Sequence, residues 1–144
     1  MSRDAHAWVQ VGFGVASIVV GVLLVVAPST SLFAAYNQTI ADAFFAGRPL
    51  TPQVQQMNHW LLATCGAGVV GWGLAWAWIA QVPLRRGEPW AWWCLSASLG
   101  VWVGIDVVTA VAFGVLGELV FVSVMAVGAG GHLLLCRRAV TTTS

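Results

Sequence analysis

Four runs of about 20 apolar residues constrain the fold of this 144-residue chain more than any other feature. A helix needs about 20 such residues to cross the hydrocarbon core of a bilayer, where every backbone polar group must be hydrogen-bonded within the protein. The runs are Trp8 to Ala27, Met57 to Ala80, Trp90 to Phe113 and Glu118 to Cys136. We therefore predict an all-α fold, a four-transmembrane-helix bundle that forms a single membrane domain over residues 1–144, with helices at about 8–27, 57–80, 90–113 and 118–136.

The low charge of the chain agrees with this class of protein. Only 8% of the residues are charged and 59% are hydrophobic, whereas about a quarter of the residues of a soluble domain are charged. The formal net charge of +1 leaves no basic surface for nucleic acid. The partners that we expect are the lipid bilayer and, in a possible homo-oligomer, further copies of the chain.

The arginines predict the orientation of the bundle. If the four helices alternate in direction, Arg48 lies alone on one side. The other five arginines fall on the opposite side: Arg3, Arg85, Arg86, Arg137 and Arg138. Loops rich in Lys and Arg stay in the cytoplasm. We therefore expect a multi-pass protein of the inner (plasma) membrane, with both termini cytoplasmic.

The first outer connection, from Pro28 to Gln56, is too long for a simple turn. Apolar residues recur in it at intervals of four, at Leu32, Tyr36, Ile40 and Phe44. This spacing predicts a short amphipathic helix on the outer surface, at about residues 31–45. Its role is open between a structural lid over the bundle and a gate for a ligand.

Small residues predict where the helices touch. Helices in lipid associate by close packing at Gly, Ala and Ser, because lipid tails are as apolar as Leu. One helical stripe that begins at His59 carries Ala63, Gly66, Gly73 and Ala77, and an adjacent row carries Ala67, Gly71 and Ala75. The first helix offers Gly14, Ser17 and Gly21.

One carboxylate, Asp106, interrupts the apolar stretch "GVWVGIDVVTAV". An aspartate within the membrane costs about 2.5–3.5 kcal/mol on insertion scales, so it is expected to face the bundle and to find a partner there. Trp102 shares its helical face. Thr64 and Ser123 lie at matching depth on neighbouring helices and could supply hydroxyl groups.

Two further polar residues, His59 and Glu118, are expected nearer the outer surface, with Asn58 beside them. One hypothesis is that His59, Asp106 and Glu118 converge in an outward-opening vestibule that binds a proton, a cation or a small polar ligand. The alternative is structural: Asp106 bonds a hydroxyl or His59 and fixes the register of the helices.

No motif in the sequence predicts a reaction. The chain lacks the spacing of a nucleophile elbow, a phosphate-binding glycine loop or an HExxH metal site, so we predict no catalytic residue, no metal and no cofactor, and we lean against an enzyme. His132 is interpreted as an interfacial histidine near the cytoplasmic end. The three cysteines, Cys65, Cys94 and Cys136, are interpreted as small packing residues.

The segment "PLRRGEPWAWW", between "GWGLAWAWIAQ" and "VWVGIDVVT", resembles a group of small bacterial integral membrane proteins of four helices, mostly uncharacterised. The resemblance covers the last two-thirds of the chain. It implies the same topology and a bacterial inner-membrane location, and it brings no activity with it.

Three functions remain open on the sequence. The first is a scaffold or accessory membrane protein with a polar site in the outer leaflet. The second is a component for transport of protons, cations or small ligands. The third is a lipophile-binding protein or membrane enzyme, which the aromatic residues near Asp106 suggest.

Overall fold

The computed structural model describes the backbone of residues 3–141 and the side chains of residues 4–137. Every regular element in that range is helical. The helices are α1 (Arg3–Val26), α2 (Ala34–Phe45), α3 (Pro52–Ile79), α4 (Pro89–Phe113), α5 (Gly117–Met125) and α6 (Gly131–Thr141). A 3-10 turn, Ser31–Phe33, precedes α2, and two π-helical turns, Ala80–Leu84 and Ala126–Gly130, extend α3 and join α5 to α6.

Four helical segments are long and apolar enough to cross a membrane, which confirms the predicted fold class. They are Asp4–Val26, Pro52–Leu84, Pro89–Phe113 and Gly117–Arg137. Large apolar side chains on all four point outward, among them Val22, Leu74, Val108 and Leu134. Such a surface is expected of a protein whose solvent is lipid.

The second span is longer than its apolar run at both ends, because α3 begins at Pro52 and the π turn continues the helix to Leu84. Thr51 caps it, because its hydroxyl oxygen accepts a hydrogen bond from the Val54 backbone N–H at 3.4 Å, and Pro52 takes the first helical position. At the other end, Pro83 lies within the π turn and does not end the helix. The connection to α4 is therefore short, and it turns at Gly87, whose φ is 78°.

The short helix predicted in the first connection is present as the 3-10 turn and α2. It lies across the ends of three spans. The Asn37 amide donates to the carbonyl oxygen of Pro28 at 3.1 Å, and the Asn58 amide of α3 donates to the Asn37 side-chain oxygen at 2.9 Å. Thr39 packs against Gly117, where α5 begins. We call this end of the bundle the loop end.

The closest contact between spans is the seam between α1 and α3, formed by Gly14 and Gly21 against Gly73 and Gly66. A Cβ atom on Gly73 would lie 2.7 Å from the Gly14 carbonyl oxygen, and one on Gly66 would lie 2.5 Å from that of Gly21. The predicted packing stripe is confirmed here. The adjacent row is different, because Ala67, Gly71 and Ala75 are exposed.

The opposite end, which we call the hairpin end, brings together the start of α1, the α3–α4 connection and the end of the fourth span. The Arg85 guanidinium donates to the Asp4 carboxylate at 3.2 Å and lies 5.5 Å from the centre of the Trp8 ring. Arg137 lies 5.4 Å from the Trp92 ring. Arg85 and Arg137 therefore share one end, as predicted; the side chains of Arg3 and Arg138 lie outside the described residues.

The hydrophobic core is concentrated toward the hairpin end. Its buried members come from α3, α4 and the fourth span and include Trp76, Leu95, Leu99 and Leu133. The Trp92 indole N–H donates to the Leu133 carbonyl oxygen at 2.7 Å, which ties α4 to α6. Toward the loop end, α3 packs along α1 but has little contact with α4.

The seam predicts a difference between two glycines of α3. Gly73→Leu should lower the free energy of unfolding by about 1–3 kcal/mol, because the new side chain has no room against α1. Gly71→Leu should have little effect, since nothing lies within 4 Å of the added Cβ. Unfolding of both variants in mixed micelles would measure the difference, and equal stability would show that the α1–α3 contact is not tight.

Candidate functional site

A polar group lies beneath α2 at the loop end, and Tyr36 is its centre. The pKa of the Tyr36 phenol is raised to about 12, mainly by burial and to a smaller extent by the negative charges of Glu118, Cys65 and Asp106 nearby. These four residues therefore share one region, although they come from four different helices. We call Tyr36, Asp106 and Glu118 the loop-end polar group.

The two carboxylates of this group are half-buried and lack the hydroxyl partners that the sequence suggested. The Thr64 hydroxyl donates to the Trp60 carbonyl oxygen of its own helix at 3.0 Å, and Ser123 is exposed. The Thr109 hydroxyl likewise donates to backbone carbonyl oxygens, not to the Asp106 carboxylate. Asp106 and Glu118 are within electrostatic range of each other.

The remaining predicted site residues have separate surroundings. Asn58 is buried and bonds Asn37, whereas His59 is half-buried and forms no hydrogen bond or ion pair with either carboxylate within residues 4–137. Trp102 lies one turn from Asp106 on α4. The structure thus groups Asp106 with Glu118 and adds Tyr36, which the sequence placed only on the apolar face of α2.

A cavity of about 680 Å³ lies between the spans beside the loop-end polar group. Trp72 and Trp102 form part of its wall, with ring centres 5.8 Å apart, and Phe121 meets Trp102 edge-on at 6.5 Å. Its lining comes from α1, α3, α4 and α5: Ser17, Val20, Leu24, Cys65, Gly68, Val69, Trp72, Ala97, Ser98, Val101, Trp102, Phe121 and Met125.

The cavity is suited to an apolar ligand because its lining is mainly apolar and its Trp72, Ser98 and Ser17 side chains are already hydrogen-bonded. The Trp72 indole N–H donates to the Ser98 hydroxyl oxygen at 2.8 Å, and the Ser17 hydroxyl donates to the Phe13 carbonyl oxygen at 3.0 Å. Gly68 and Val101, at the gap between α3 and α4, are exposed. The cavity therefore opens sideways, toward the surface that lipid would cover.

The cavity adjoins the loop-end polar group at two points. Cys65 lines the cavity and lies within electrostatic range of Tyr36. On α4, Trp102 lines the cavity and Asp106 follows it by four residues, or about 6 Å along the helix axis. An apolar space and a pair of carboxylates thus meet in the loop-end half of the bundle.

A second polar cluster occupies the hairpin end. His6 Nδ1 lies 3.2 Å from His132 Nε2, and Cys136 Sγ lies 3.6 Å from His132 Nδ1. The Gln10 amide contacts both His132 Nδ1 and the Ala129 carbonyl oxygen at 3.3 Å, and its oxygen accepts from the Trp76 indole at 3.1 Å. We call His6, His132 and Cys136 the hairpin-end cluster.

Sequence reasoning missed the hairpin-end cluster, for which it predicted no metal ligands. One ligand atom from each of the three residues lies within 4.8 Å of the other two, which is the spacing that a metal ion needs. His132 was expected to face water or backbone, and Cys136 to act only in packing. The available signal was a pair of i, i+4 spacings, His6 with Gln10 in α1 and His132 with Cys136 in α6.

Comparisons with protein-family models, with curated proteins and with solved structures found no match to this chain. The two polar regions and the cavity between the spans are therefore the features that bear on function.

The environment of Tyr36 gives a measurable prediction, because it is the single tyrosine of the chain. Its phenol should titrate near pH 12, and the absorbance of the tyrosinate would measure this titration. Since this native pKa lies above the ordinary value near 10, its contribution to stability should be lost as the pH rises from 10 to 12. Glu118→Gln should lower the pKa, whereas Asp42→Asn, an exposed change on α2, should not. An unchanged pKa in Glu118→Gln would separate Glu118 from this group.

Proposed function

We propose that this polytopic membrane protein binds one amphiphilic, lipid-like molecule within its bundle. The apolar chain of the ligand occupies the cavity, and its polar head lies beside Asp106 and Glu118. The observation that carries the proposal is the cavity of about 680 Å³ that opens between α3 and α4 and adjoins two carboxylates. Ligand sites are commonly of this size, mainly apolar, with a few polar groups that orient the ligand.

The charges of the site favour a particular kind of head group. Asp106 and Glu118 have no ion-pair partner among residues 4–137, where the Arg85–Asp4 pair lies at the other end of the bundle. Ionisable groups within a membrane need a partner or water. A cationic or hydrogen-bond-donating head would complete the site, and Asn58, His59, Thr64 and Ser123 would be its neighbours on the loop-end side.

The other two functions explain less of the structure. A scaffold or accessory role accounts for the glycine seam but gives the cavity no purpose. Transport of protons or cations needs polar groups that continue from one end to the other. Here the nearly apolar cavity lies between the loop-end polar group and the hairpin end.

The proposed location follows from the arginines and from the resemblance to small bacterial membrane proteins. Arg85, Arg86 and Arg137 would face the cytoplasm of a bacterial inner membrane, together with both termini. The ligand head would then lie in the outer leaflet. The ligand would enter sideways from the bilayer, since the cavity opens between two spans.

Photolabelling would test occupancy of the cavity. A long-chain amine that carries a chain-borne diazirine should label peptides of α3 and α4 around Gly68 and Trp102. Gly68→Leu should reduce this labelling at least fivefold, because its side chain projects into the cavity and nothing within 4 Å blocks the added Cβ. Gly71→Leu adds the same side chain to the exposed face of α3 and should label like the parent protein. Equal labelling of both variants would overturn the cavity as the binding site.

Head-group preference would test the role of the carboxylates. The parent protein should prefer the amine probe to the carboxylic acid of the same chain length by at least tenfold. Asp106→Asn with Glu118→Gln should remove most of that preference while chain labelling persists, because the charge is lost and the cavity is kept. Asp42→Asn is the matched surface control. A preference that survives the double substitution would show that these carboxylates do not contact the head.

A further inference from the structure

We propose that the hairpin-end cluster, His6, His132 and Cys136, is a binding site for a single copper(I) ion. This inference does not depend on the proposed lipid-like ligand, because the two sites lie toward opposite ends of the bundle. It begins from three side chains that the fold brings together from positions far apart in the chain: His6 comes from the start of α1, and the other two come from α6.

The spacing of the donor atoms fits one metal ion. Atoms that bind a central ion at about 2.0–2.3 Å lie about 3.3–3.7 Å from one another. His6 Nδ1 lies 3.2 Å from His132 Nε2, and the Cys136 sulfur lies 3.6 Å from the other ring nitrogen of His132, Nδ1. A single ion would bind one of these two nitrogens. One ligand atom from each residue lies within 4.8 Å of the other two, so the donor atoms would have to move closer by up to about 1 Å to bind it.

The donor types and charges favour copper(I). A thiolate is a soft ligand that selects copper(I), zinc or iron–sulfur clusters, and imidazole accepts copper and zinc. His6 and Cys136 are 9% and 1% exposed, so a net charge there would be costly. One copper(I), one thiolate and two neutral imidazoles sum to zero, whereas zinc(II) would leave a positive charge at the end that also holds Arg85 and Arg137. Binding would release the thiol proton, one per copper ion.

The surroundings of the cluster already hold the ligands in place. Gln10 contacts His132 Nδ1, and is itself fixed by the Trp76 indole and the Ala129 carbonyl oxygen. The π turn Ala126–Gly130 contains that carbonyl group, and in some His₂Cys copper sites an amide or backbone oxygen takes the weak axial position that methionine occupies in others.

Anaerobic titration of the purified protein in lipid nanodiscs would test the site. Copper(I), supplied as its complex with a chromophoric chelator, should bind at one equivalent, and X-ray absorption should show one sulfur and two nitrogen ligands. Cys136→Ser and His6→Gln should each weaken binding at least 100-fold. Cys94→Ser, which removes an exposed thiol elsewhere, should leave the affinity unchanged.

Two results would overturn the proposal. One is copper binding that persists in Cys136→Ser or His6→Gln at the parent affinity. The other is one equivalent of zinc bound at this cluster with no uptake of copper(I) from the chelator. Circular dichroism of each variant would verify the fold, and His6→Gln, which can still hydrogen-bond His132, keeps the test valid if a smaller residue there prevents folding.

Discussion

The close approach of α1 and α3 at four glycines is the contact on which the rest of the bundle depends. Burial of apolar surface gives little drive for association between helices in lipid, so tight packing of backbones must supply it. Gly14, Gly21, Gly66 and Gly73 permit that packing along most of both helices. The paired α1 and α3 then form a surface against which the other spans pack unequally. The fourth span closes the bundle at the hairpin end, while toward the loop end a gap remains between α3 and α4.

This unequal closure explains why the two polar regions differ. At the hairpin end, a chain of hydrogen bonds runs from Trp76 through Gln10 to His132 and His6 if His132 carries its proton on Nε2. At the loop end, Asp106 and Glu118 have no such network within the described part of the chain. Buried polar groups normally have hydrogen-bond partners. A bound ligand could therefore supply the hydrogen bonds or ion pairs that the two loop-end carboxylates lack.

Much of the fold was predictable from the sequence, for physical reasons. Length and hydropathy predict the four spans because the thickness of the bilayer fixes the length of a crossing helix. The period of small residues predicted the packing stripe of α3 at Gly66 and Gly73, although it did not predict that this stripe packs against α1. The π turns were not predictable, since an apolar helix that widens by one residue has the same composition as one that does not. Pro83, for example, lies within a π turn and does not end its helix.

The candidate sites were less predictable because they depend on which helices are neighbours. Asp106 was recognisable in the sequence as an isolated charge. The proximity of Tyr36 to Asp106 was not, because it depends on how α2 lies across the bundle. The hairpin-end cluster needed the knowledge that α1 lies beside α6. The spacing within one helix shows that His132 and Cys136 share a face, but does not show that His6 lies opposite them.

The small residues around the cavity explain why it exists at all. Gly68 and Ala97 line it, and nothing lies within 4 Å of a Cβ added at Gly68, in contrast to the close helix contact at Gly66. Larger side chains at these positions would fill the space and gain dispersion energy from their neighbours. A void of this size would leave its lining without contacts, and the surrounding solvent is lipid, so an acyl or similar chain is the natural occupant. The charged pair beyond Trp102 then limits how far the apolar part of that molecule extends, because a carboxylate is a poor neighbour for a hydrocarbon chain and a good one for a donor head group.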